Sequence, residues 1–461
     1  MRKPRIAPVI ARLLAMMLAI LASSVAIAQS DAPRSSLTSE SAARRPEPQR
    51  RDSADARRRA TRAQVRFEQI RRLHLPRQYS SAPEICDARI GRFCQWNDEV
   101  SIRPDEPKKI TTARRDLLVA LQNAASRSPT DDWITGQRIR YLLEAGDDST
   151  AVDVALGCAA TEWWCDALRG LALHEAESAG ADSAFDRALA AMPERERCRW
   201  TDMSALLDDA QRKRYRRVGC GAREEIAARI WWLADPFLSI PGNDRRTEHY
   251  ARHTMSRILD GTRAGYDARW DDDLRELVVR YGWARYWTRP PGNDPSSRSV
   301  SGHEASPSYH FLPAVTSIDS IPTLKGDVWD LRMQRAVERY RPTRVDQFRE
   351  LDAQVAMFRR RDSVMVVAAY DVTADTVFAP GPVTSMAVLQ RDETDQELFP
   401  SGQLRAARGA HVEMMSAAPH LLSVETFNFE KRRAGRTRRV VSLPVIAPGS
   451  VSISDVLLFD P

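Results

Sequence analysis

The chain has 461 residues, 43% of them hydrophobic and 28% charged, with a formal net charge of +7. That length exceeds one ordinary domain, and that composition excludes a wholly disordered or fibrous protein. The positive balance is local: Arg44–Arg72 holds 11 Arg against four acids, while the residues from Leu73 onward sum to −3. Without basic patches interleaved with aromatics, a nucleic-acid partner is not expected.

Residues 1–28 combine a basic start (Arg2, Lys3, Arg5, Arg12), an apolar run Leu13–Ile27 and a small-x-small end, Ala26-Ile27-Ala28. This is the architecture of a cleaved secretory signal. A spanning helix needs about 20 apolar residues, and Ser23-Ser24 interrupts this shorter run. The expectation is export to the periplasm or beyond, as a soluble protein after cleavage. Residues 29–73 read as a disordered, Arg-rich arm, because 29–63 are poor in aromatics and rich in Arg, Ser, Pro and Ala. Such an arm could touch an anionic membrane surface through Arg44–Arg72, or an acidic polysaccharide. A solvated tether is the commoner fate of block charge. Arg outnumbers Lys 63 to 6 over the whole chain, so residue usage accounts for part of the basicity.

The six cysteines, Cys86, Cys94, Cys158, Cys165, Cys198 and Cys220, form an even set in an exported chain, which implies disulfides. Neighbour pairing, 86–94, 158–165 and 198–220, is expected. No C-x-x-C spacing offers a metal site instead. Residues 74–112 then form a Cys-clasped segment, followed over 113–222 by a helical domain in which Leu117, Leu118, Leu121 and Ala125 trace one face. Ala181, Phe185, Ala188 and Pro193 stand at tetratricopeptide-like offsets, and Trp133, Trp164 and Trp200 recur at a nearby but irregular period. Repeat units and an ordinary bundle that uses Trp as core filler are both open.

In the next block, 223–300, Trp232, Asp235, Pro236, Asn243, Asp244, Glu248, Tyr250 and Arg252 precede Trp270, Asp273 and Tyr281-Gly282. In order and spacing these residues resemble the GWxTD domain of exported bacterial proteins, over residues ~231–282. Arg269 and Asp272 stand where that signature has its Gly and Thr. The resemblance implies no established activity. Independently, Asn243 reads as a helix N-cap with Asp244 in the first turn, and the helix should end near Gly261. Leu274–Tyr281 is expected to be a strand, on its paired Val residues and the resemblance. The acids Asp271, Asp272 and Asp273 lack calcium-loop spacing and read as a cap or turn.

His249 and His253, with Glu248 beside them, lie one helical turn apart and could share a metal, although the order E-H-x-x-x-H is not that of a zinc protease. His303-Glu304 falls in the Ser/Pro-rich stretch Pro290–Pro307, and 301–340 reads as a linker. Residues 341–461 read as a β-sandwich: 354–358 and 364–370 flank a turn at Arg361-Asp362, followed by strands at 385–389, 411–415, 421–429 and 438–443, with Gly435 in the last turn. Ile453–Phe459 reads as one more strand, whose exposed edge would suit a fragment lacking later strands.

The fold expected is therefore α+β and multidomain: a helical, tetratricopeptide-like front, a small mixed middle domain and a C-terminal sandwich. No nucleophile elbow or phosphate loop occurs, and no cofactor is expected. The expected role is a non-catalytic interaction protein of the cell envelope, binding protein or polysaccharide. The alternative is an envelope hydrolase, metal-dependent or not, with a site near His249, His253 and His303.

Overall fold

A computed structural model describes residues 47–78, 86–96, 102–207, 209–262, 270–290, 300–304, 307–313, 338–361, 363–378, 380–394, 403–416, 418–442 and 454–456. Residues 1–28, read as a secretory signal, lie outside them. The arm does not lie outside entirely, and there the first correction falls: Glu47–His74 is a helix, α1. Ala56, Ala60, Gln64, Phe67 and Arg71 recur at helical spacing and are buried. They meet Ile110, Leu117, Leu121, Ile134 and Tyr141 in one core. Average composition hid this, because the arginines occupy the opposite face. Arg71 itself is buried between Glu68 and Glu144.

Next, β1 (Ala88–Ile90) and β2 (Phe93–Gln95) form a hairpin closed by a Cys86–Cys94 disulfide. The helices follow: α2 (Lys108–Arg127), α3 (Asp132–Glu144), α4 (Asp148–Leu156), α5 (Glu162–Glu175), α6 (Gly180–Ala191), α7 (Glu194–Trp200), α8 (Asp209–Tyr215), α9 (Cys220–Ala234), α10 (Asp244–Leu259) and α11 (Asp272–Tyr281). Asp131, Asp147, Asn243 and Asp271 cap four of them by accepting amides of the first turn. The other disulfides join Cys158 to Cys165 in the first turn of α5, and Cys198 in α7 to Cys220 at the start of α9. One core takes Ile139, Trp164, Leu168, Phe185, Tyr250, Met255 and Val278, so it runs across the boundary expected between 222 and 223.

Leu274–Tyr281 is helical, not a strand. Asp271 accepts the Leu274 amide at 3.3 Å, and Leu274, Val278 and Tyr281 bury one helical face. Gly282 ends the helix at φ 79°, a left-handed conformation that glycine adopts without a Cβ penalty. Capping and amphipathic spacing outweigh the modest strand preference of two Val residues.

A short hairpin, β3 (Tyr286–Thr288) with β4 (Ser301–His303), precedes the β-rich half. There β5 (Gln347–Glu350), β6 (Ala353–Arg360), β7 (Ser363–Asp371), β8 (Thr384–Gln390), β9 (Arg408–Ser416), β10 (His420–Asn428) and β11 (Arg433–Val441) build two sheets, ordered β5-β11-β10-β8 and β6-β7-β9. All neighbours are antiparallel except β11 and β5. Val364, Val366 and Ala368 of β7 share a core with Leu389, Leu422 and Val424 of the larger sheet, which makes the pair a sandwich. The larger sheet's other face is covered too: Trp232, Leu233 and Leu238 pack on Val388 and Leu421. That double cover is why every residue of β10 is buried. The protein is thus α+β and multidomain, helical in front and β-rich behind.

Gly435 lies inside β11 opposite Thr426, and the reversal falls just before it, where Arg432 takes φ 53°. The described parts of the expected linker are packed, with His303, Phe311, Leu312, Glu338 and Tyr340 all buried. Of Ile453–Phe459 only 454–456 are described. They are not a strand, and the Asp455 side chain accepts the Met357 amide of β6 at 3.0 Å.

Candidate binding cleft

The polar residues of the central block converge beneath one surface cleft. Asn243 caps α10 through the Arg246 amide at 2.9 Å and donates its own amide to the Trp231 carbonyl at 2.7 Å. Asp244, in the first turn, accepts from Tyr340 Oη at 2.5 Å and from the Thr343 amide and hydroxyl at 3.0 and 2.7 Å. One turn on, Glu248 meets His174 Nε2 of α5 at 2.7 Å and accepts Arg252 Nε at 2.5 Å. Arg252 then donates to three carbonyls, those of Val279 (3.2 Å), Arg280 (2.7 Å) and Arg339 (2.5 Å). A guanidinium suits this work because its fork of donors is planar and stays charged.

Electrostatics follow burial and pairing. Glu248 is held well below the usual carboxylate range: burial opposes ionisation, but Arg252 and His174 outweigh it. His174 is raised although burial opposes its charged form, because Glu248 accepts from it and adds attraction. Its Nδ1 lies 3.0 Å from Thr247 Oγ1, whose hydroxyl donates to the Asp244 carbonyl, so both ring nitrogens can donate.

The front of the block is tied to the sandwich. Trp232 Nε1 donates to Gln390 of β8 at 2.6 Å. Arg436 and Arg438 of β11 donate to the carbonyls of Asp235, Pro236 and Leu233. Glu425 of β10 accepts the amides of Leu238 and Ser239 at 2.9 and 3.1 Å. Burial lifts the Asp235 carboxyl well above its ordinary value despite Arg438 nearby.

Above Glu248 and Arg252 opens a cleft of about 550 Å³, walled by Tyr281, Trp283, Arg285, Tyr286 and Glu304. A more apolar chamber of about 290 Å³ shares Tyr281, Trp283, Glu304 and Arg339 with it and continues to Trp96, Leu277 and Trp287. Trp283, Tyr286 and Trp287 are half-buried. Charges in the cleft are largely matched: Arg285 bonds Glu175 and Glu304, Arg252 bonds Glu248, and Arg432 bonds Glu177.

The candidate metal residues separate. His249 and His253 come together, ring centroids 4.6 Å apart, but the Glu248 carboxylate faces His174 and Arg252 instead. His249 Nε2 donates to the Trp200 carbonyl at 3.0 Å, while His249 Nδ1 and His253 Nε2 find no partner among the described residues. Burial pushes His249 well below its ordinary value, with the charge of His253 acting the same way, and burial pushes His253 down to about 4. Among the described residues no group of three His, Cys, Asp or Glu is placed to hold a metal ion.

His303 stands apart, its ring stacked on Tyr286 at 4.7 Å and its Nε2 2.7 Å from Thr288 Oγ1. It lines the apolar chamber with Glu144 and Glu304. A Ser–His contact does form in the sandwich, Ser385 Oγ to His411 Nε2 at 2.8 Å, but both residues are buried.

Of the signature residues, Tyr281 and Gly282 line the cleft, whereas Trp270 and Asp273 pack elsewhere. Trp270 packs beside the helical core, and Asp273 presses on Gly91 of the β1–β2 turn, where an added Cβ would collide with its carboxylate. Tyr281 and Gly282 form the cleft rim. Sequence reasoning passed over Trp283, Arg285, Tyr286 and Trp287, although an aromatic and basic cluster directly after Tyr281-Gly282 was a usable signal. It also passed over His174, whose pairing with Glu248 spans 74 positions and leaves no local trace. No protein-family model matches this chain, and no curated protein does. Among the described residues no helix is long and apolar enough to cross a membrane.

Proposed function

We propose that this chain is an exported, non-catalytic interaction protein of the cell envelope whose cleft holds a polysaccharide. The observation carrying the reading is the lining itself. Half-buried Trp283 and Tyr286 line the cleft, Tyr286 backed by His303 and Trp283 by Arg285, and give it an aromatic wall for the apolar side of a sugar ring, while matched Arg–Glu pairs offer donors and acceptors to hydroxyls without a net field that would demand a charged ligand. The block's ionisable side chains support a binding role, since Asp244, Glu248 and Arg252 are already engaged with the protein's own groups. Export rests on residues 1–28 together with three disulfides, which persist in oxidising compartments. Kinship with the GWxTD domain, and of α3–α6 with tetratricopeptide units, belongs to the same proposal. In support, the matching residues of the central block act as one structural joint.

The test is co-sedimentation of the mature chain with isolated peptidoglycan sacculi, comparing the parent with Trp283→Ala and Tyr286→Ala. Losing a stacked aromatic anchor should weaken binding about tenfold or more, on the order of 2 kcal/mol. Retention unchanged in both variants would remove the cleft from the reading. Release of soluble fragments, abolished by His303→Gln, would replace it with the hydrolase alternative.

A further inference from the structure

The solvent face of α1 is unused by anything described above. Arg58, Arg59, Arg62, Arg66 and Leu73 fall along it at helical spacing, opposite the buried face of Ala56, Ala60 and Phe67. All five are exposed, Leu73 to 70%. Arg58 is engaged by Asp55 one turn away, but Arg59, Arg62 and Arg66 form no ion pair among the described residues. By contrast, two other arginines of the helix are put to structural use: Arg57 bonds Asp131 and Arg71 bonds Glu144. The remaining acids of this face, Asp52 and Asp55, sit toward its N-terminal end, so the central and C-terminal turns are purely basic. Just past the helix a second apolar side chain, Ile102, is 82% exposed, its carbonyl held by the Gln78 amide at 3.2 Å.

We infer that this face of α1 is a docking surface for an anionic lipid bilayer. A rigid row of guanidinium groups matches a plane of phosphates, which they can engage with two donors each. The exposed Leu73 on the same face tells a bilayer from a soluble polyanion, since only a bilayer gives an apolar side chain somewhere to insert. The charge belongs to a folded helix pinned by its Ala/Phe face, so the arginines are presented together and little ordering entropy opposes contact. The consequence is orientation: the surface would hold α1 against the membrane. This site is separate from the cleft, so it stands or falls without the polysaccharide reading.

The experiment is vesicle co-flotation of the mature chain, at low and physiological salt, on phosphatidylcholine vesicles with and without 30 mol% (about one lipid in three, enough for a strongly negative surface) phosphatidylglycerol. Binding is expected only to the anionic vesicles and should fall with salt. Each arginine near such a surface is worth about fivefold, so Arg59→Gln/Arg62→Gln/Arg66→Gln together should weaken binding about 100-fold. Leu73→Ser should weaken binding while leaving its salt dependence in place, and Trp283→Ala should bind as the parent does. Near-ultraviolet dichroism and thermal melting identical to the parent will show that the triple variant is folded, all three positions being exposed. Equal binding to neutral vesicles, an undiminished triple variant, or retention on soluble acidic polysaccharide with no flotation would each overturn the inference.

Discussion

Replacing Arg252 with Met tests whether the central block is a joint. The side chain is 3% exposed and makes four hydrogen bonds, one to Glu248 and three to the carbonyls of Val279, Arg280 and Arg339. Its loss leaves a buried Glu248 carboxylate with His174 as its remaining charged partner. Breaking a buried pair from one side costs roughly 3–5 kcal/mol, mostly through the charge left behind. Each abandoned carbonyl adds about 1 kcal/mol unless water reaches it, and the terms overlap, so about 4 kcal/mol is the expected loss. Against a typical stability of roughly 5–15 kcal/mol that is a severe lesion. Urea unfolding followed through tryptophan fluorescence would read it. Glu248→Gln/Arg252→Met should cost less than the sum of its parts by about 2 kcal/mol, because no lone carboxylate remains. Arg252→Lys keeps the charge but not the fork and should fall between parent and Met. Amide exchange at Gly282, whose N–H bonds the Val278 carbonyl, should speed up in the Met variant, since Arg252 holds the adjoining turn. A loss under about 1 kcal/mol, or additive single variants, would refute the reasoning.

Two other outcomes follow from the same geometry. Folded His249 and His253 titrate below the ordinary histidine value, so the stability they contribute is complete above about pH 6.5 and is lost as the pH falls. For His253, lowered to about 4, the loss is on the order of 3 kcal/mol by pH 4. His174 is raised and has the opposite sign, its contribution fading as the pH climbs through its folded value. His253→Gln should therefore flatten the acid limb of a stability–pH curve, and an unchanged limb would count against the burial account. At Gly170 an added Cβ would lie 2.6 Å from the Phe185 ring. Gly170→Ala should lower stability by about 1–3 kcal/mol, as overpacking does. Phe185→Leu in the same chain should restore part of that in a thermal melt, and no restoration would place the cost elsewhere.

What could be read from the sequence was whatever depends on near neighbours. Asn243 as a cap, the hairpin reversal beside Arg361, and the β-rich tail all follow from local backbone preference and alternation. Features that depend on distant partners were not legible. Residues 47–74 looked disordered because nine arginines dominate the average, while the decisive face is Ala56, Ala60 and Phe67, useful only once α2 and α3 cover it. In β11 the sequence RAGRTRR looks like a turn, yet Arg436 and Arg438 are buried because the carbonyls before α10 receive them. Leu274–Tyr281 carries conflicting local signals: two Val residues favour a strand, while an Asp cap whose partner lies only three residues away favours the helix that forms.

The cleft's legibility has a similar limit, and it bears on how the block should be understood. Trp232, Asp235, Asn243, Asp244, Glu248 and Arg252 looked like a functional signature because polar residues at fixed spacing usually mark chemistry. In the fold each faces a group of the protein itself, and most of those groups lie on other elements: Gln390 on β8, His174 on α5, Tyr340 and Thr343 before β5. A buried charge with so many partners is costly to move and gains little from a passing ligand. The residues that wall the cleft include the rings and paired charges of 281–286, which the joint holds in place through the carbonyls of Val279 and Arg280. Substitutions in the joint should therefore alter binding through stability and cleft shape, whereas substitutions in 283–286 should alter binding in a protein of parental stability.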